Sequence, residues 1–306
     1  MKIAIIGSGG IGGYFGARLV QAGHEVTFLA RGQHLKIMKE KGLHIKSILG
    51  DFSIKNLKVV NKISEINQPD LIVLCVKAWQ IKDIVRELKE ILHAETIVLP
   101  LQNGVVTAHE LSEVIDRKHI LGGFARIISK IEAPGIINHM GAEPTVVFGE
   151  LDKSKSERVK QLFELFQVEG INTVMSKDIE ADIWKKFIFI CVGGLMAVTH
   201  TTCGELRELE ETRTLMIEML TEIFMLSKKI GILLDNDIVE KTVSFFDTLP
   251  FDSTFSLSRD IWEGKPSEIE YQNGTVVHLA EKYGVHVPIN RFIYYSILPK
   301  ELKARR

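Results

Sequence analysis

The sequence lacks a charge excess, has few cysteines, and contains no apolar run long enough to cross a bilayer. Each shortage removes a class of function. Lysine plus arginine number 38 against 39 aspartates and glutamates, for a net charge of −1. No general field exists for gripping a polyanion such as DNA, so no nucleic-acid partner is expected. The three cysteines, Cys75, Cys191 and Cys203, are odd in number and set in apolar runs. Without the close pairing that a metal site requires, no metal is expected, and all three read as reduced core residues. The longest strongly apolar stretch, Phe187 to Val198, is too short to span a membrane. Met1 and Lys2 lead straight into an apolar strand pattern with no secretory-type leader, so a cytoplasmic location without a membrane partner is expected. No internal repeat, low-complexity tract or long single-sign charge block is present, which argues against solenoids and scaffolds.

What is there is the composition of a folded protein, 45% hydrophobic and 25% charged, in a chain of 306 residues that exceeds the usual single-domain size. The first half alternates short β-branched runs with amphipathic segments, the pattern of a parallel sheet covered by helices. Strands are expected at Ile3–Ile6, Val26–Leu29, Leu71–Val76 and Thr96–Leu99, with helices at Tyr14–Ala22 and Gln80–Leu92 and a hairpin over Leu43–Ile54. Strands around Ile120–Ile128 and Thr145–Phe148 are expected to extend that sheet. Past the helix Ser156–Phe166 and a strand near Ile171–Met175, the pattern turns to long helices: Ile179–Thr199, Glu205–Lys229, Asn236–Phe246, Ser267–Tyr283 and Asn290–Leu302. The fold class is therefore α/β. An N-terminal doubly wound Rossmann-type domain, residues 1–176, precedes a mainly helical C-terminal domain, residues 177–306. The apolar face of Glu205–Lys229 could be buried within one chain or against a second copy, which leaves a homodimer open.

The first strand runs into Gly7-Ser8-Gly9-Gly10-Ile11-Gly12, a G-x-G-x-x-G sequence placed where a strand becomes a helix. Gly7 can make the tight turn, Gly9 can admit a pyrophosphate to the backbone, and Gly12 can bring helix and sheet close. Unpaired N–H groups at the helix start then bind the anion. The motif in this setting points to a dinucleotide. The second strand ends in Leu29-Ala30-Arg31 and carries no acid for a ribose 2′-hydroxyl. Arg31 suits a 2′-phosphate instead, which makes the expected cofactor NADPH/NADP+.

Three further stretches, Val76-Lys77-Ala78-Trp79-Gln80, Leu101-Gln102-Asn103-Gly104 and Trp184-Lys185-Lys186, together with Ser256-Leu257-Ser258-Arg259-Asp260 and Pro266 to Gly274, resemble the ketopantoate reductase family along the whole chain. The resemblance implies NADPH-dependent reduction of a small 2-oxo acid, 2-dehydropantoate to pantoate. It also implies roles: Lys186 as proton donor to the ketone oxygen, Glu268 as the carboxylate beside the substrate, Asn103 and Ser256 as substrate-binding groups. Lys77 and Gln80, with Asn103, fall to the cofactor pocket. Members of the best-known pattern carry asparagines four and eight residues after that lysine, where Ile190 and Gly194 stand here. The departure implies an enlarged or more apolar pocket, or a different 2-oxo acid.

The residues themselves allow other readings. Lys186 shares a helix face with Ile183 and Ile190, which can turn it inward, yet a lysine at a helix rim can also snorkel into solvent. Glu268 and Ser256 sit where either could serve a helix start. Gly193-Gly194 inside a helix marks close packing or close approach of a ligand. A noncatalytic NADP(H)-binding regulator, using the helical half to hold a protein partner, is the alternative from a different class.

Overall fold

A computed structural model describes residues 1–306. The chain divides into two compact units, Met1–Gln102 with Thr107–Ile179, and Asn103–Val106 with Glu180–Arg306. No helix is long and apolar enough to cross a membrane.

The first unit is built on a parallel sheet. Its elements are β1 (Lys2–Ile6), α1 (Gly10–Gln21), β2 (Glu25–Leu29), α2 (Gly32–Lys41), β3 (Leu43–Ser47), β4 (Phe52–Ile54), β5 (Lys58–Val60), β6 (Leu71–Leu74), α3 (Ile81–Glu90), β7 (Ile97–Pro100) and α4 (Thr107–Ser112). They are followed by β8 (Gly122–Ala133), β9 (Ile136–Gly149), α5 (Glu157–Leu165) and β10 (Asn172–Met175). The parallel strands lie in the order β5-β2-β1-β6-β7. Because side chains alternate across a strand, Ile3, Ile5, Val26, Phe28, Val73 and Leu99 enter one core while Ala4, Ile6, Leu29, Ile72, Leu74 and Val98 enter another. Burial on both faces explains why these strands read as continuous apolar runs. Ile81, Ile84, Val85 and Leu88 of α3 close the second face.

The other face departs from expectation. Apart from a single parallel bridge of Ile120 to Val98, the expected strands do not extend the parallel sheet; β8 and β9 form a long antiparallel hairpin in a second sheet of order β10-β9-β3-β4, with β8 paired to β9. β9 pairs in parallel with β3 through Ile45↔Ile137, and Ala125, Ile137, Val146 and Phe148 join the core that holds Tyr14 and Phe15 of α1. The expected hairpin over Leu43–Ile54 is the antiparallel pair β3–β4 of this second sheet.

Just past β9, Glu150 is buried, and Arg158 of α5 grips it with two bonds of 2.6 and 2.5 Å. Burial pushes the Glu150 carboxyl up, but bonds from Arg158 and Ser156 outweigh it and hold the group below its ordinary value. Arg158→Ala is expected to cost about 2 kcal/mol, less than the ~3–5 kcal/mol of a fully buried pair, because 26% of the Arg158 side chain stays exposed. Urea unfolding measures it. The native carboxyl titrates below its unfolded value, so the gap between wild type and variant should persist above that value and close as pH falls through the native one.

The second unit is helical: α6 (Ile179–Ile190), α7 (Val192–Thr199), α8 (Cys203–Glu208), α9 (Glu210–Lys229), α10 (Ile238–Asp247), α11 (Ser256–Trp262), α12 (Thr275–Tyr283) and α13 (Pro288–Ala304). The single helix expected over Ile179–Thr199 is broken at Cys191, and the one over Glu205–Lys229 at Leu209, whose backbone is extended. Thr202 and Glu205 cap α8 reciprocally, the hydroxyl on Glu205 N and the carboxylate on Thr202 N. The helix expected from Ser267 opens with a π-helical turn, Glu270–Gly274. Trp184, Phe187, Met216, Leu220, Phe246, Leu257, Val276 and Ile293 anchor one core. Cys191 and Cys203 are buried and Cys75 is half-buried; burial pushes the Cys203 thiol up to about 11 and the Cys75 and Cys191 thiols higher than usual, which disfavours the thiolate in all three.

Candidate active site

The two sets of site residues lie in different units. In the first, β1 hands the chain to Gly7 at φ +99°, a conformation open to glycine, where a Cβ would stand 2.8 Å from Val76 N. A Cβ on Gly12 would lie 2.1 Å from Gly7 O and 2.8 Å from Ile5, so α1 can close onto β1 only with glycine there. Gly9 differs from both: nothing lies within 4 Å of its Cβ position, and as the N-cap of α1 it has no side chain to satisfy the first-turn N–H groups. The three spacings separate into turn, open approach and packing. The open space at Gly9, where no side chain caps the first-turn N–H groups, fits a pyrophosphate, whereas Gly10 is packed, its Cβ position 2.5 Å from Ser129 O.

The glycine loop is tied to the end of β2. Ser8 N and Ser8 Oγ both donate to Leu29 O, at 3.2 and 3.1 Å. Two residues later Arg31 stands exposed as the N-cap of α2. His34, one turn into α2, bonds Ser8 O at 2.9 Å through Nε2, while its Nδ1 accepts from Gly135 N at 3.0 Å. Burial holds its pKa below the ordinary imidazole value, against the opposing pull of the Ser8 bond. Sequence reasoning missed His34. After β6, Gln80 Oε1 accepts from Lys77 N at 3.1 Å and so caps the short turn Ala78–Gln80, while the Lys77 ammonium lies 5.7 Å from the Trp79 ring.

In the second unit, three residues far apart in sequence meet. Lys186 Nζ donates to Asn103 Oδ1 at 2.8 Å, and Asn103 Nδ2 donates to Glu268 Oε2 at 3.0 Å. The amide thus turns its oxygen to the ammonium and its NH2 to the carboxylate, the orientation that charge demands. Gly104, at φ +101°, lets the Asn103 strap pass Tyr271 O, which a Cβ would approach to 2.8 Å. Glu268 is buried, and its segment is pinned from α13: the buried Glu301 accepts from Ser267 N and from Ser267 Oγ at 2.5 Å, and Arg305 bonds both Glu301 and Ser267 O. Neither Ser267 nor Glu301 was legible as a support. Lys185, the neighbouring lysine, is turned to Asp182 at 3.1 Å.

Ser256 is not part of this group. It is exposed at the first position of α11, whose cap is Phe255, so it is not the helix cap either.

Gly194 changes meaning. The sequence left open packing or ligand approach, and the family departure suggested extra room. A Cβ there would stand 2.1 Å from Asn273 Oδ1 and 2.9 Å from Ile293. Asn273 is itself held by Cys191 O at 3.3 Å and Asn290 Oδ1 at 3.0 Å, so it cannot swing away without loss. The missing side chain leaves no cavity; Asn273 occupies the space. Gly194→Ala is expected to lower stability by about 1–3 kcal/mol through overpacking. Gly9→Ala, with open space around it, should leave the thermal midpoint of the free protein unchanged.

Residues 3–153 match the family model described as ketopantoate reductase PanE/ApbA, and residues 178–301 match the model of the ketopantoate reductase PanE/ApbA C terminal. A 2-dehydropantoate 2-reductase of Pyrococcus abyssi is 30% identical, with 98% of each chain covered. The oxidoreductase YkpB of Bacillus subtilis, itself uncharacterized, is 28% identical over 97% of this chain and 98% of its own. Among solved structures, a D-mandelate dehydrogenase in ternary complex with NADH and anilino(oxo)acetate has a TM-score of 0.90 at 26% identity, covering 100% of this chain and 99% of that one. Family matches that reach from residue 3 to residue 301, with a relative at 30% identity along nearly the whole length, make this chain an oxidoreductase of the ketopantoate reductase PanE/ApbA family.

Proposed function

We propose that the chain reduces a small 2-oxo acid with NADPH, and that the acid is 2-dehydropantoate, giving pantoate for pantothenate and coenzyme A synthesis. The observation that carries this reading is the hydrogen-bonded chain Lys186–Asn103–Glu268. The cofactor, when bound, supplies hydride to the ketone carbon. As that carbon accepts the pair, the C=O π electrons move to oxygen, which needs a donor and then a proton. Lys186 offers an ammonium for both and is left as a neutral amine, to be reprotonated before the next turnover. Asn103 holds the ammonium on one side, and the Glu268 carboxylate, by accepting from the Asn103 amide, keeps the Asn103 oxygen turned to Lys186. Ser256 is assigned to the substrate carboxylate, and Lys77 and Gln80 to the adenosine side of the cofactor. Gly7 to Gly12 supply the backbone donors for the pyrophosphate, with Arg31 at the 2′-phosphate.

The test is NADPH oxidation, followed by absorbance, with a panel of 2-oxo acids that includes 2-dehydropantoate and an aromatic 2-oxo acid, the oxidised counterpart of mandelate. Turnover of 2-dehydropantoate well above the rest is the expected result. Turnover confined to the aromatic acid would keep the chemistry and replace the substrate. Tight NADPH binding with no turnover across the panel would support the noncatalytic regulator instead.

A further inference from the structure

The imidazole of His34 bridges two backbone groups that are distant in sequence, and one belongs to the glycine loop. Since Nδ1 accepts the Gly135 N–H, its lone pair is in use and the proton sits on Nε2, which therefore donates to Ser8 O. Ser8 is now fixed on both sides of its α-carbon: its N–H and hydroxyl on Leu29 O, its carbonyl on His34. In a planar trans peptide the C=O and the following N–H point in opposite directions. A Ser8 carbonyl aimed at His34 therefore aims the Gly9 N–H directly away from the ring. Gly9 is the loop residue with open space around its Cβ position. Gly135 lies in the turn between β8 and β9, so the ring is braced from a second element and cannot rotate freely.

We propose that His34 is a positioning residue of the dinucleotide site, setting the plane of the Ser8–Gly9 peptide so that the Gly9 N–H faces the pyrophosphate. The proposal rests on the dinucleotide reading of the glycine loop. His34 touches no cofactor atom itself. Its effect belongs to the pyrophosphate, which NADPH and NADH share, and not to the 2′-phosphate that Arg31 serves.

Two variants separate positioning from plain structural support. In His34→Asn, an amide oxygen near the Nδ1 position can still accept from Gly135 N, but nothing reaches Ser8 O. In His34→Gln, the amide NH2 reaches the Nε2 position and can donate to Ser8 O. Dissociation constants of NADPH and NADH would be read by their fluorescence on the full chain. His34→Asn is expected to weaken both cofactors about tenfold and by equal factors, the scale of one lost hydrogen bond, while His34→Gln stays within about threefold of wild type. Wild-type affinity in His34→Asn would overturn the proposal. So would a loss confined to NADPH, which would report displacement of Arg31 at the start of α2, or an equal loss in both variants, which would mark His34 as structural. A wild-type chain that binds neither cofactor would overturn the dinucleotide reading together with this one.

Discussion

Lys186→Ala is expected to lower kcat by about 100- to 10,000-fold and to leave the NADPH dissociation constant unchanged. The size follows from the role proposed for the side chain: with no ammonium at the ketone oxygen, hydride transfer would leave an alkoxide with neither its donor nor its proton. Lys185→Ala is the matched comparison. The two lysines are neighbours in α6 and chemically identical, yet they stand about 100° apart around the helix. Lys185 is turned to Asp182 at 3.1 Å, whereas Lys186 meets Asn103 at 2.8 Å. A positive patch that acted only through general charge would suffer alike from either loss. A donor at one atom suffers from one. Single-turnover NADPH oxidation at saturating substrate isolates the chemical step from binding and product release. Wild-type chemistry in Lys186→Ala would remove Lys186 from the mechanism, as would equal defects in the two variants.

Much of the first unit was legible because local rules decide it. β1 is apolar on both faces because both faces are covered, and the glycine spacing after it encodes three different backbone needs that Gly7, Gly9 and Gly12 each meet. What periodicity cannot carry is partnership. A strand pattern over Thr145–Phe148 looks the same in either sheet, and its place beside β3 and β10 is set by contacts with segments far away in the chain. The helix breaks were hidden for a related reason. Nothing in the intrinsic preference of Cys191 or Leu209 stops a helix. The turn at Cys191 instead accompanies the glycines beside it, where Gly193 meets Phe255 and Gly194 meets Asn273.

The candidate site divides in the same way. Asn103, Lys186 and Glu268 are separated by 83 and 82 positions, and only a family resemblance could join them before the structure did. Of their supports, Ser267 lies within the Pro266 to Gly274 stretch but Glu301 and Arg305 belong to no motif, since a buried carboxylate capping a distant N–H is visible only in three dimensions. His34 left a fainter trace. A histidine three residues beyond Arg31 on a short helix reads as surface until its two nitrogens are seen to be satisfied on opposite sides.

Arg31→Ala should weaken NADPH binding by roughly ten- to a hundredfold, about 1.5–3 kcal/mol for one charge-assisted contact to phosphate, and leave NADH binding nearly unchanged. β2 ends without the acid that would bind a ribose 2′-hydroxyl and repel a 2′-phosphate. Arg31 stands exposed there, two residues from the carbonyl that anchors the glycine loop, and its guanidinium makes no hydrogen bond or ion pair within the protein. An arginine already paired would have to break that pair to take a phosphate; this one has nothing to give up. Its fork of donors matches a phosphate better than a lysine would, so Arg31→Lys should recover part of the preference. Titration of both variants with NADPH and NADH decides the matter, because the two cofactors differ only in that phosphate. Equal losses would show that Arg31 supports the site without distinguishing the cofactors. A wild-type chain that already prefers NADH, as the cofactor in the D-mandelate dehydrogenase complex makes worth testing, would reassign the cofactor while leaving Lys186, Asn103 and Glu268 in their proposed roles.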